Sequence, residues 1–246
     1  TTKLSGDIKL NCPIKITITG EGGKSGNYAP YFDPLSSTVI GQGTDLQIPV
    51  GASDALSDTI NITVSGLPNA GFEVNAQQNG RTAGIAHAQT STLGEGQYYL
   101  TLAATDQLGA TTTVVLPIYI TSYEIATAPS LDPISTQDVL RSKYLFLPLG
   151  ATNPRPMGTQ SIGLDISGLP GAGLQITTNG PKRTAGIMNW QAPPEDMRFL
   201  LQIYACDPYT SLYTIAQIPV VVKGSGANNA ALFDPLSSTV IGQGTD

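Results

Sequence analysis

Residues 32–45 read FDPLSSTVIGQGTD, and the same fourteen residues recur unchanged at 233–246. The second copy starts 201 residues after the first, so the chain reads as a window on a longer array whose unit begins again at residue 233. That unit contains an older duplication. FDPLSSTVI at 32 aligns with LDPISTQDV at 131, LQIPVGAS at 46 with LFLPLGAT at 145, and SGLPNAGF at 65 with SGLPGAGL at 167. RTAGIAHA at 81 then matches RTAGIMNW at 183, YYLTLAATD at 98 matches FLLQIYACD at 199, and TTVVLPIYI at 112 matches YTIAQIPVVV at 213. The offsets stay between 99 and 102, so one module is used twice.

Each copy alternates apolar and polar positions between turn residues. Leu100, Leu102 and Ala104 share one face of a strand, and Leu201, Ile203 and Ala205 repeat the pattern. Asn79-Gly80 and Asn179-Gly180 supply residues tolerant of positive φ, and Asp106 to Gly109 offers a further turn. No stretch carries a 3.6-residue apolar period. Several short strands in about 100 residues, used twice, predict an all-β chain of two tandem immunoglobulin-like β-sandwiches plus flanking strands. The expected division is an orphan strand region at 1–26, sandwiches at 27–125 and 126–226, and the opening strand of the next repeat at 227–246.

Composition agrees with short strands and tight turns: charged residues make up 12%, with 27 glycines and 18 prolines. The net charge of -6 is spread along the chain without a Lys/Arg run, which argues against nucleic acid and anionic membranes as partners. No apolar run reaches the roughly 18 residues needed to span a bilayer. Two cysteines are too few for a disulfide-dense scaffold, so the modules must rest on their cores.

Pro117 and Pro219 fall in the last strand of their copies. Proline cannot donate a ladder hydrogen bond, so this strand is expected at an edge or with a bulge. Pro13 has a similar context. IKLNCPIKITITG at 8–20 therefore reads as a final strand whose parent module is absent or supplied by another segment. Its alternating Ile8, Leu10, Cys12, Ile14, Ile16 and Ile18 need a sheet to receive them, which makes this the candidate assembly strand for head-to-tail contact with adjacent repeats or other copies of the chain. Cys12 and Cys206 are expected not to bridge, because two serial modules set them near opposite ends while a disulfide needs Cα atoms within about 7 Å. Alternation also puts Cys206 on the face opposite Leu201, Ile203 and Ala205.

NYAPYFDPL at 27, ATAPSLDPI at 126, the two SGLP segments, AGIMNWQAP at 185 and the A-x-D of Ala104 to Asp106 follow one another in an order that resembles the cadherin-like, dystroglycan-type tandem repeats of bacterial and archaeal surface proteins. The likeness covers roughly residues 27 to 223 and departs at His87 and Ala88, which replace the aromatic element in the first copy. The resemblance implies an extracellular or cell-surface protein of adhesion or fibre architecture, often with calcium, and brings no catalytic residues. It also places calcium-binding acids in a loop and a later turn, where Asp54, Asp58 and Asp106 match. The second copy has Asn153 and Pro154 in the first loop, so a calcium site is expected in the first copy only.

His87 is the sole histidine, and the remaining acids are scattered over turns, so no nucleophile, acid-base or metal set is apparent and the chain is not read as an enzyme. Trp190 has the register of a core residue. The leading functional expectation is a structural repeat of a surface filament or adhesin stalk, with an adhesion or carbohydrate-binding module as the second reading.

Overall fold

The computed structural model describes residues 15–19, 28–54, 59–78, 80–122, 127–154 and 158–224. Eighteen strands and no helix occur among them. β1 is Lys15–Thr19. The first sandwich follows as β2 (Tyr31–Phe32), β3 (Leu35–Ser36), β4 (Thr38–Gly41), β5 (Leu46–Ser53), β6 (Asn61–Ser65), β7 (Gly71–Gln78), β8 (Arg81–Ala88), β9 (Gly96–Thr105) and β10 (Thr111–Thr121). The second contains β11 (Ser130–Leu131), β12 (Gln137–Leu140), β13 (Tyr144–Thr152), β14 (Gly163–Ser167), β15 (Gly173–Thr178), β16 (Arg183–Gln191), β17 (Met197–Cys206) and β18 (Tyr213–Lys223).

Both sandwiches have the same two-sheet order. β2-β5-β8-β7 faces β10-β9-β6, with β4 parallel to β10; β11-β13-β16-β15 faces β18-β17-β14, with β12 parallel to β18. This is the immunoglobulin-like and cadherin-like arrangement, in which the opening segment crosses from one sheet to the other. Leu100, Leu102, Ala104, Leu201, Ile203 and Ala205 are all fully buried, as their alternation predicts. Trp190 is a core residue, its ring edge-on to Phe199 at 5.1 Å and its Nε1 donating to the Pro170 carbonyl at 3.0 Å.

The repeated motifs have repeated structural causes. Arg81 makes a bidentate contact with Asp33 at 3.0 and 2.6 Å and donates to Ser53 Oγ; Arg183 repeats it with Asp132 at 3.0 and 2.7 Å and with Thr152 Oγ1. Glycine is required beneath both forks, because a Cβ on Gly51 or Gly150 would meet the aspartate Oδ2 at 2.2 Å. The Asp-Pro, Pro-x-Gly and Arg-Thr-Ala-Gly segments are thus parts of one clasp between β2, β5 and β8, or β11, β13 and β16.

The last strands differ from the expectation of an edge or a bulge. β10 is paired on both sides: with β9 throughout, with β1 antiparallel over Thr111–Val115, and with β4 parallel over Ile118–Thr121. Leu116 and Pro117 fall in the gap between β1 and β4, where a residue without an N–H costs no ladder bond. β18 repeats this layout, with β3 covering Thr214 and Ile215, β12 covering Val220–Lys223, and Pro219 in the gap. The candidate assembly strand therefore finds its receiving edge within this chain over Lys15–Thr19, including Ile16 and Ile18. Ile8, Leu10, Cys12 and Ile14 lie outside the described residues, as do 233–246.

The second difference lies in how the sandwiches meet. β3 belongs to the first sandwich but pairs with β18 of the second, so the modules share a sheet edge. Cys206, Tyr213 and Ile215 join the first sandwich's core cluster with Phe32, Leu35, Val114 and Leu116. Cys206 does face away from Leu201 and Ile203, but that outer face is packed rather than solvated. Cys206 is moreover disulfide-bonded, which corrects the expectation that the cysteines stay apart; the chain's other cysteine, Cys12, lies outside the described residues. The register supplies the reason. Cys206 pairs with Tyr213, the Tyr213 hydroxyl reaches the Val115 carbonyl, and Val115 pairs with Lys15 at the start of β1. The junction thus ties the register partner of Cys206 to the residue that receives the start of β1.

Two outcomes follow. The intact mass of the non-reduced single chain should fall short of the reduced mass by the hydrogens of one disulfide; free labelling of both thiols before reduction would contradict this. The Arg183 guanidinium hydrogen-bonded to Asp132 holds that carboxyl below its ordinary range. A depressed carboxyl contributes stability above its unfolded value, about 3.9, that is lost as pH falls through its folded value. Asp132→Asn should cost about 1 kcal/mol or less at pH 7, since the pair is half exposed, and nothing once the pH is well below that range, as measured by urea unfolding.

Candidate functional site

Two regions concentrate buried polar chemistry: the acid pair at one end of the first sandwich and the junction between the sandwiches.

Asp54 follows β5 and Asp106 follows β9, and both are buried at 8% and 6% exposure. Asp106 builds its own turn. Its Oδ1 accepts from the backbone N–H groups of Leu108 at 2.9 Å and Ala110 at 2.8 Å, and Gly109 closes the turn at φ 89°. Its Oδ2 is buried and accepts no hydrogen bond among the described residues. The second sandwich fixes what this position normally needs. There Asp207 Oδ1 accepts from Tyr209 N in the same turn, while Asp207 Oδ2 accepts from Asn153 Nδ2 at 3.0 Å. Asn153 stands where Asp54 stands in the first sandwich. Where the second sandwich has a neutral donor the first has a carboxylate, and a buried carboxylate oxygen without a donor is satisfied by a cation or a proton.

Calcium suits oxygen donors and takes six to eight of them. The registers bring Asp54 and Asp106 to the same end of the sandwich, since Ser53 pairs with Arg81, Thr82 Oγ1 donates to Ile60 O and Asn61 pairs with Thr105; Asp58 lies outside the described residues. Among the described residues no group of three or more His, Cys, Asp or Glu side chains is placed to hold a metal ion. The two described acids would supply part of a shell, with backbone carbonyls supplying the rest. His87 is exposed on the outer face of β8 and joins no such group.

The junction has denser bonding. The Tyr213 hydroxyl donates to Val115 O at 2.6 Å, and Tyr213 N donates to Ser37 Oγ at 2.7 Å. Ser37 N and Oγ both donate to Tyr213 O, at 2.8 and 3.0 Å. Phe32 N donates to Gln217 Oε1 at 2.7 Å, and Ser36 and Thr214 hydroxyls lie 2.7 Å apart. Burial pushes the Tyr213 phenol well above its usual range, so it stays a donor. The sequence carries one sign of this surface: Tyr213 to Val222 has almost no polar alternation, as in a strand buried on both faces.

No family model and no curated protein matches the chain. Solved structures with a similar fold include the sialic acid binding region of a Streptococcus sanguinis SK1 adhesin, at 10% identity and a TM-score of 0.31 over 80% of this chain and 78% of that one. The N-terminal Ig1-2 module of the Drosophila receptor protein tyrosine phosphatase DLAR matches at 13% identity and 0.33, over 80% of this chain and 100% of that one. Drosophila N-cadherin EC1-3 matches at 18% identity and 0.31, over 80% and 68%. The fold assignment rests on the strand order itself.

Asp54→Asn gives the first sandwich the donor that Asn153 provides in the second. In buffer containing a chelator it should raise the melting temperature by a few degrees, the effect of about 1 kcal/mol from one satisfied buried acceptor. An unchanged or lowered melting temperature in calorimetry would show that the two acids do not face each other.

Proposed function

We propose that the chain is a non-catalytic structural repeat of an extracellular surface filament or adhesin stalk, of the dystroglycan-type, cadherin-like kind found on bacteria and archaea. The observation that carries this reading is the interlocked junction. Two independent sandwiches tethered by a linker swing freely, whereas here one module's segment completes the other's sheet and a buried tyrosine crosses the boundary. A joint of that kind suits a rod that transmits force or holds a spacing. Because 233–246 repeats the sequence that contains Phe32 of β2 and the whole of β3 and β4, the same joint can recur along a longer array. The neighbours are then adjacent repeats or other copies of the chain, joined head to tail. We place calcium at the Asp54 and Asp106 end of the first sandwich, where it would neutralise the acids and stiffen that end.

Antibodies raised against the purified chain should decorate a surface appendage at regular intervals in immunogold electron microscopy of the source cells. Label confined to the cell interior would overturn the proposal. Purified chain should also scatter X-rays as one rigid two-module body, and Leu35→Asp, which puts a charge in the shared core, should broaden the distribution of interdomain distances.

A further inference from the structure

The outer face of the β11-β13-β16-β15 sheet carries a feature that the structural role does not use. Tyr144 and Phe146 of β13 point outward at 61% and 66% exposure, their rings near-parallel at 23° with centroids 6.1 Å apart. The strand register sets Tyr144 opposite Gln191 and Phe146 opposite Asn189, with Ile187 beside Gln175 one step further. The Tyr144 hydroxyl donates to Gln191 Oε1 at 3.4 Å. The result is a strip of two aromatic rings flanked by three exposed amides, and none of these side chains is charged.

The first sandwich serves as an internal control. Its register repeats the same layout, with Gln47 opposite His87 and Ile85 opposite Glu73. Asp45, Gln47, Glu73 and His87 stand where the second sandwich has Tyr144, Phe146, Gln175 and Asn189. The scaffold therefore folds with polar and charged residues at these positions. Packing does not account for the rings at 144 and 146, and exposing two large aromatics costs solubility without contributing to the core. The second copy has also lost both acids from this face, in a chain whose net charge is -6.

We propose that this face binds a neutral glycan, with sugar rings packed on Tyr144 and Phe146. An aromatic face is negative and accepts the C–H groups of a pyranose ring. A primary amide offers donors and acceptors together, which matches a hydroxyl that both gives and takes a hydrogen bond. Asn189, Gln191 and Gln175 line the strip with three such groups. The missing charges set the class of glycan: an anionic sugar would need a cation, and none of the strip's side chains supplies one. This inference stands apart from the stalk reading, since a stalk with or without a glycan site would form the same joint.

The test is binding of the full chain to an array of neutral and anionic glycans, followed by titration calorimetry with the best neutral glycan. Binding to at least one neutral glycan is expected. The double variant Tyr144→Asp/Phe146→Gln, which copies the first sandwich, should lower affinity about ten-fold or more while keeping the wild-type melting temperature. Absence of binding to every neutral glycan, or equal binding by the double variant, would overturn the proposal. So would concentration-dependent dimerisation that the double variant abolishes, because the strip would then be a contact between copies.

Discussion

A phenol taken out of water has to keep a hydrogen bond, and Tyr213 keeps its own across the boundary between the sandwiches. With its hydroxyl on Val115 O and its backbone on both groups of Ser37, this one residue fixes β18 against β10 and β3 at once. The rest of the junction follows from that placement. Phe32, Leu35, Cys206 and Ile215 close around it in a single apolar cluster, so separating the modules would expose a tyrosine, a phenylalanine and several ladder bonds together. A cost spread over so many coupled groups makes the joint cooperative rather than hinged.

The duplication separates scaffold from specialisation. Features present in both copies serve the fold: the Asp-Arg forks over a bare glycine, the prolines in the gap between two partner strands, and the Gly66 and Gly168 turns at φ 97° and 89°. Features present once invite another explanation. Asp54 against Asn153 changes the chemistry of a buried pair, and Gln47 against Phe146 changes that of an exposed face. Neither substitution disturbs the register around it.

The exposed edges are handled in the same way in both sandwiches. β7 and β15 are edge strands, and each is broken by a register shift, between Val74 and Ala76 and between Ile176 and Thr178. Gly84 and Gly186 lie beneath those bulges, where a Cβ would meet the Glu73 and Gln175 carbonyls at 2.0 and 2.5 Å. A bulged edge presents a poor template for a foreign strand, whereas the edge strands of the opposite sheets, β6 and β14, are short and pair in unbroken register.

The sequence by itself determined the all-β class, the two modules, the core alternation in β9 and β17, the buried Trp190 and the Asp106 turn. Each of these depends on local periodicity or on short-range turn chemistry, which a linear pattern records, and the duplication let every reading be checked twice. Only the tertiary structure decided where β1 docks, that β3 crosses to the other sandwich, and that Cys206 sits at a joint rather than at a far end. Those outcomes depend on which strand edges remain open once each sandwich has closed. An edge is a property of the assembled sheet, and Leu35 and Ser36 look the same in sequence whether they pair with β10 or with β18. The aromatic strip was hidden for a related reason: Tyr144 and Phe146 fit a strand pattern as well as any buried residue, and only the orientation of β13 placed them in solvent.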